Sequence, residues 1–337
     1  MKIVIIGSDK VYAIENYYVK YLRQAGVEVI HFPAQSMFYD YYTKNFLRKI
    51  LFKLGWSPIY RQINDALKAK VESEKPSVVW IFKGMEIFPE TLKWIKARGI
   101  FLVNYNPDNP FLFSGKGSGN TNVTDSIPLF DLHITYNLKI KTQLEIGWHA
   151  RVAWIPFGFD VSTELFSKCE AVAEINSVCF VGNPDKERAK FVTSLAERGI
   201  KISTYGHEWN RFLSHPNIQI CPPVYGEEQW ITLRKYRVQL NLMRMHNQSS
   251  HNMRTFEVPG IGGIMVAPDT DEHRTFFVPD QEIFLFKTVE ECSEKIKKLL
   301  QLPVSEANDI RARARARSMS SGYSYESRVA QVLSVLN

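Results

Sequence analysis

The chain has 337 residues, of which 45% are hydrophobic and 23% charged, an ordinary globular balance. At roughly 100–200 residues per domain this length predicts two domains, each able to bury a core. Lys and Arg exceed Asp and Glu by 7, which suits an anionic partner. No apolar run approaches the roughly 20 residues that span a bilayer. The opening Met1-Lys2-Ile3-Val4-Ile5-Ile6-Gly7 turns polar too soon for a signal peptide. Cys169, Cys179, Cys221 and Cys292 form no Cys-x-x-Cys pair, so reduced thiols and a cytoplasmic protein are expected.

Residues 2–7 read as a buried strand. Ile14, Tyr17, Tyr18, Tyr21, Leu22 and Ala25 recur at helical spacing, and Gly26 ends that helix. Strands are predicted at Val27–Phe32, Val78–Phe82, Ile100–Tyr105, His133–Tyr136 and Val152–Phe157. Helices fall near 89–98 and 139–147. Residues 159–175 have weak periodicity and read as a linker. A second alternation has strands at Ser177–Val181, Ile202–Tyr205, Gln239–Met243, Ile264–Ala267 and Ile283–Phe286. Its helices lie near 185–198, 226–236, 252–259, 288–300, 304–319 and 323–336. Apolar strands separated by helices imply parallel sheets covered on both faces. The expected fold is therefore α/β: two tandem, doubly wound, Rossmann-like domains facing a cleft. The expected boundaries are 1–160, 161–319 and a terminal helix at 320–337. Ligands of such sheets bind beyond the carboxyl ends of the strands.

Strand ends thus direct attention to particular residues. The first strand ends in Gly7 and Ser8, a single glycine turn without the Gly-x-Gly-x-x-Gly of nicotinamide enzymes. The third ends at Lys83. The fourth runs into Asn106-Pro107-Asp108-Asn109-Pro110, where Asp108 is held between prolines. A carboxylate there would accept a proton from a hydroxyl nucleophile; alternatively, it only forms a local turn. Residues 114–120 are rich in Gly and Ser and read as a substrate loop, but their spacing is not that of a phosphate-binding loop.

The second half opens with strand, glycine turn and basic helix start: Gly182, Asn183 and Arg188. This predicts an anion site. Tyr205, Gly206, His207 and Trp209 follow a strand and would stack a nucleobase. A polar loop after the strand ending at Met243 supplies Arg244, Ser250, His251, Asn252 and Met253, then Arg254 and Glu257 on a short helix. Arg254 with the helix-start N–H groups suits a pyrophosphate, and Glu257 a ribose diol. The alternative is a polar loop that caps a helix, with Glu257 at the surface.

Four landmarks recur in order: Phe180-Val181-Gly182 with Arg188, Tyr205-Gly206 with Trp209, Arg254-x-Phe256-Glu257 with Gly262-Gly263, and Tyr323 with Arg328. Together they resemble the CgeB-like glycosyltransferases, relatives of the group 1 nucleotide-sugar transferases of the glycosyltransferase B fold. The resemblance is strongest over 177–330. The first half adds the Pro-Asp-Asn-Pro loop and Ile155-Pro156-Phe157-Gly158-Phe159-Asp160. It implies a second domain that binds a nucleotide-diphosphate sugar, with Glu257 on the ribose. The larger relatives carry another glutamate eight positions earlier, where this chain has Ser249. It implies a first domain that binds the acceptor; a hydroxyl acceptor, glycan or lipid-linked, is expected, with the strand-end residues Gly7, Ser8, Lys83 and Asn106 on its side. Asp108 would serve the transfer. Cations and helix dipoles can stabilise a diphosphate leaving group without a metal, so no cofactor is expected beyond the donor itself.

Phe46, Leu47, Ile50, Leu51 and Leu54 share a helical face flanked by Lys44, Arg48 and Lys49. That face would either rest on anionic lipid or pack on the sheet. Arg311, Arg313, Arg315 and Arg317 spread over two sectors of a helix, which predicts a solvated surface and no nucleic-acid stripe. The competing reading is a non-catalytic two-domain binder of a nucleotide or phosphorylated small ligand.

Overall fold

The computed structural model describes residues 1–113, 119–244, 247 and 249–336. Most of the expected substrate loop, residues 114–118, lies outside them, as do Met245, His246 and Gln248 of the polar loop. The chain divides into two compact units, Met1–Pro156 with Val329–Asn337, and Phe157–Arg328.

In the first unit the chain runs β1 (Lys2–Ile6), α1 (Ile14–Gln24), β2 (Glu28–Phe32), α2 (Ala34–Thr43), α3 (Phe46–Lys53), α4 (Ile59–Glu74), β3 (Val78–Phe82), α5 (Pro89–Lys96), β4 (Phe101–Tyr105), α6 (Thr121–Ser126), β5 (Leu132–Thr135), α7 (Leu138–Trp148) and β6 (Val152–Trp154). The six strands are parallel, in the order β2-β1-β3-β4-β5-β6. β3 is buried at every position, which is why its sequence, Val-Val-Trp-Ile-Phe, is uninterrupted by polar residues. The chain leaves β1 for β2 on one side and returns to β3 on the other. Gly7 and Lys83 therefore flank the point where the order reverses.

The second unit runs α8 (Thr163–Glu170), β7 (Ile175–Val181), α9 (Lys186–Glu197), β8 (Ile202–Tyr205), β9 (Ile218–Cys221), α10 (Gly226–Lys235), β10 (Tyr236–Leu240), α11 (Arg254–Gly260), β11 (Met265–Pro268), α12 (Asp271–Phe276), β12 (Phe284–Phe286), α13 (Val289–Gln301), α14 (Val304–Ser320) and α15 (Tyr325–Leu336), whose end belongs to the first unit. The sheet order is β12-β11-β10-β7-β8-β9, again all parallel. Its reversal lies between β7 and β10.

The expected pair of doubly wound, Rossmann-like α/β domains holds, with corrections to its parts. The stretch read as a linker contains α8, begun by Ser162, whose side chain accepts from the Leu165 N–H. β9 had been missed: Gln219 and Ile220 are exposed on this edge strand, so it lacks a buried apolar run. β10 lies about three residues earlier than expected, because Arg237 and Gln239 are buried in it.

The solvated reading of α14 fails for Arg311 and Arg315, while Arg313 is exposed. Arg311 is buried and pairs with Glu174, which also holds Arg237. Arg315 stacks on Phe166, 3.4 Å from the ring centroid, and donates to the Gly260 carbonyl. These planar, weakly hydrated cations tie α14 to the second unit's interior. All four cysteines are free thiols. Among the described residues no helix is long and apolar enough to cross a membrane.

Candidate active site

The carboxyl ends of β7 and β8 interlock. The Gly182 N–H donates to the Tyr205 carbonyl at 2.8 Å, and the Trp209 indole N–H to the Gly182 carbonyl at 2.9 Å. A Cβ on residue 206 would lie 2.4 Å from the Gly182 oxygen, so only glycine fits there. Asn183 then accepts from the His207 N–H at 3.0 Å.

This packing corrects the aromatic reading. Trp209 is fully buried, edge-on to Phe180, and the Tyr205 hydroxyl bonds that of buried Tyr236 at 2.9 Å. Neither ring has a face to offer a base. The exposed pair at this edge is His207 with Tyr225, joined at 2.9 Å.

Arg188 bridges the reversal point. Its guanidinium donates to the Leu242 carbonyl at 2.7 Å beyond β10, and to the Asn183 carbonyl at 3.1 Å beyond β7. Burial, with the positive charges of Arg244 and Arg254 nearby, pushes its pKa down to about 10. The guanidiniums of Arg188 and Arg254 thus both reach the carboxyl end of β7, and the charge of the exposed Arg244 is felt at Arg188. Asp185 caps α9 by accepting from the Arg188 N–H.

Arg254 donates to the Val181 carbonyl at 3.2 Å and is ion-paired to Glu257, one turn along α11. Glu257 is 1% exposed, so the surface alternative for it fails. The expected array of open helix-start N–H groups is not found. Those of Thr255, Phe256 and Glu257 donate to the Asn252 and Met253 carbonyls. Asn252 reaches Asn241 at 2.8 Å, and Met253 precedes α11.

Ser250 and His251 were expected to face the donor, but both are buried. The Ser250 hydroxyl and His251 Nδ1 each lie 2.5 Å from Glu272 Oε2. The Phe157 N–H points at His251 Nε2, 3.4 Å away, so Nδ1 carries the proton donated to Glu272. Burial lowers this imidazole's pKa. The pair anchors the polar loop. Glu272 had been missed, since Asp271-Glu272-His273 sits in a short helix without apolar periodicity.

In the first unit, Lys83 Nζ lies 2.5 Å from Asp108 Oδ2. Lys83 sits at φ +63°, a costly conformation for a non-glycine residue, and its N–H donates to the Tyr105 carbonyl at 2.8 Å. The local turn is made by Asn106, which accepts from the Asp108 N–H at 2.9 Å, so the Asp108 carboxylate is left for Lys83. Gly7 and Ser8 are filled from behind by the buried Glu15, which accepts from the Ser8 N–H at 2.8 Å. Burial pushes Glu15 up to about 7, and raises Glu86 as well. Glu15 shares a helical stripe with Tyr18 and Leu22, a signal legible in the sequence though not used.

Residues 187–334 match a family model described as glycosyl transferase-like. No curated protein matches the chain. Among solved structures, sucrose-phosphate synthase from Thermosynechococcus elongatus aligns with a TM-score of 0.71 at 11% identity, over 100% of this chain and 98% of the other. HepE from Anabaena in complex with UDP-glucose gives 0.65 at 13%, over 100% and 99%. A glycosyltransferase from Rickettsia africae gives 0.66 at 11%, over 99% and 97%. The second unit thus carries most of a match to a glycosyl transferase-like family model, and the paired six-stranded parallel sheets have the glycosyltransferase B fold.

Proposed function

We propose that the chain transfers a sugar from a nucleotide-diphosphate donor, held by the second unit, to a hydroxyl acceptor held by the first. The observation that carries this reading is that the guanidiniums of Arg188 and Arg254 are both held at the carboxyl end of β7, beside the β7/β10 reversal point. Cations fixed there stabilise the charge that grows on a departing diphosphate. Donor binding would turn Arg254 from Glu257 toward phosphate and free the carboxylate for the ribose diol. His207 with Tyr225 offers the exposed ring surface for the base. HepE, described with UDP-glucose, supports a nucleotide-sugar donor by likeness of fold.

In the transfer, the acceptor oxygen bonds the anomeric carbon while the bond to the diphosphate oxygen breaks. The nucleoside diphosphate leaves with that electron pair. If configuration inverts, the acceptor proton passes to Asp108; if it is retained, that proton passes to the departing diphosphate oxygen, and Asp108 orients the sugar or the acceptor. Membership of the CgeB-like group, catalysis without a metal, a glycan or lipid-linked acceptor and a cytoplasmic location belong to the same proposal. Calorimetry with UDP, GDP and ADP tests it. One of them should bind, and its sugar conjugate should lose the sugar to an acceptor or to water. Binding without any turnover across a panel of conjugates would favour the non-catalytic binder, and no binding at all would overturn both.

A further inference from the structure

α3 has its amphipathic face reversed relative to a packed helix. Phe52 turns inward against Phe38, Tyr42 and Tyr60. Phe46, Leu47, Ile50 and Leu54 occupy about 100° of the opposite side by helical geometry. They are 76%, 62%, 37% and 55% exposed, and Trp56 just beyond is 74% exposed. Isolated exposed apolar residues are ordinary, but five in one stretch of eleven are not. The packed-on-the-sheet alternative is therefore excluded for this face.

Charge selects the occupant. Residues 44–56 carry Lys44, Arg48, Lys49 and Lys53 and no Asp or Glu. Lys49 and Lys53 flank the apolar arc on one side. Arg48 lies over the Tyr41 ring at 4.5 Å, on the packed side with Phe52, so Lys49 and Lys53 are the helix's cations beside the exposed arc. A protein partner would need an acidic apolar groove. A second copy of this chain would set these cations against themselves. An anionic lipid surface satisfies both the apolar arc and its cationic flanks.

We propose that α3 and Trp56 lie in the interface of an anionic membrane, with the apolar arc among the acyl chains and the cations at headgroup phosphates. This places the first unit at a membrane surface whether or not the transfer reaction is as proposed above.

The full chain should co-sediment with phosphatidylglycerol-containing vesicles and much less with pure phosphatidylcholine. Exchanging Lys44, Lys49 and Lys53 for Gln should weaken binding about fivefold per charge removed, together over a hundredfold. The Leu47→Ser/Leu54→Ser/Trp56→Ser variant should lose binding even at low salt while melting at the parental temperature, since these side chains are exposed. Three outcomes would overturn the proposal: equal binding to both vesicle types, parental binding by the triple serine variant, or a parental dimer that the triple variant dissolves. Because sedimentation needs neither donor nor acceptor, it is independent of turnover.

Discussion

Gly7 and Glu15 compete for one volume. A Cβ on residue 7 would lie 2.3 Å from Glu15 Oε1 and 2.8 Å from its Cγ. The glycine that ends β1 therefore makes room for a buried acid on α1, and the acid in turn satisfies the Ser8 N–H. Gly7→Ala should displace the carboxylate and strand that N–H, at a cost of about 1–3 kcal/mol in urea unfolding. Combined with Glu15→Ala, the two losses should be less than additive. Strict additivity would show that the two side chains do not share the space.

Glu15 also gives the fold a pH dependence. Its folded pKa of about 7 lies above the ordinary 4.5, so the folded state holds the proton more tightly than the unfolded chain. This stability is fully present below about pH 4.5 and is lost as pH rises to about 7, by about 3 kcal/mol. Glu86, raised in the same direction by burial, adds to the slope. Glu15→Gln should flatten the curve of unfolding free energy between pH 4.5 and 7. An unchanged slope would remove Glu15 as its source.

Simple removal of Arg254 would confuse the loss of its Glu257 ion pair with the loss of the donor contact proposed for it. Arg254→Gln alone leaves Glu257 buried without its partner, which costs about 3–5 kcal/mol. Arg254→Gln with Glu257→Gln removes both charges and should restore most of the stability. Nucleoside-diphosphate affinity should stay at least tenfold down, since a charge-assisted contact is worth about 1.5–3 kcal/mol. Parental affinity in the folded double variant would take Arg254 out of the donor site.

Asp108→Asn keeps the Asn106 turn, because that turn uses the Asp108 backbone. Transfer should fall about 10²–10⁴-fold if Asp108 is the general base. Donor affinity should not change. Near-parental turnover would make the Lys83–Asp108 pair structural, and a parallel loss of donor binding would put Asp108 on the donor sugar.

The sheets were legible because fully buried parallel strands write themselves as apolar runs, as β3 does. β9, exposed along one edge, wrote nothing comparable. The strand-end rule pointed to Gly182, Gly206, Arg188 and Arg254, which meet around the carboxyl ends of β7 and β8. It failed for Trp209, Ser250 and His251, since a polar or aromatic residue at a strand end looks the same whether it faces a ligand or anchors its own loop. Only partners distant in sequence separate those cases: Gly182 for Trp209, Glu272 for Ser250 and His251. Arg311 and Arg315 misled for the same reason, as Glu174 and Phe166 lie far from them along the chain.

The first unit is not continuous in the sequence. Its last portion is 329–337, and the Arg151 guanidinium donates to the Val335 carbonyl at 2.9 Å. In the second unit, the segment leaving Pro156 is bonded to the segment that leads back: Phe159 N–H to the Tyr323 carbonyl, Tyr325 N–H to the Phe159 carbonyl, and Arg328 to the Phe157 carbonyl. A ribosome that has released residues 1–156 has therefore not yet supplied all of the first unit, and the whole second unit emerges before the missing portion does. Gene fragments cut at this boundary would inherit the same defect, one half short of a closing segment and the other carrying it with nothing to close.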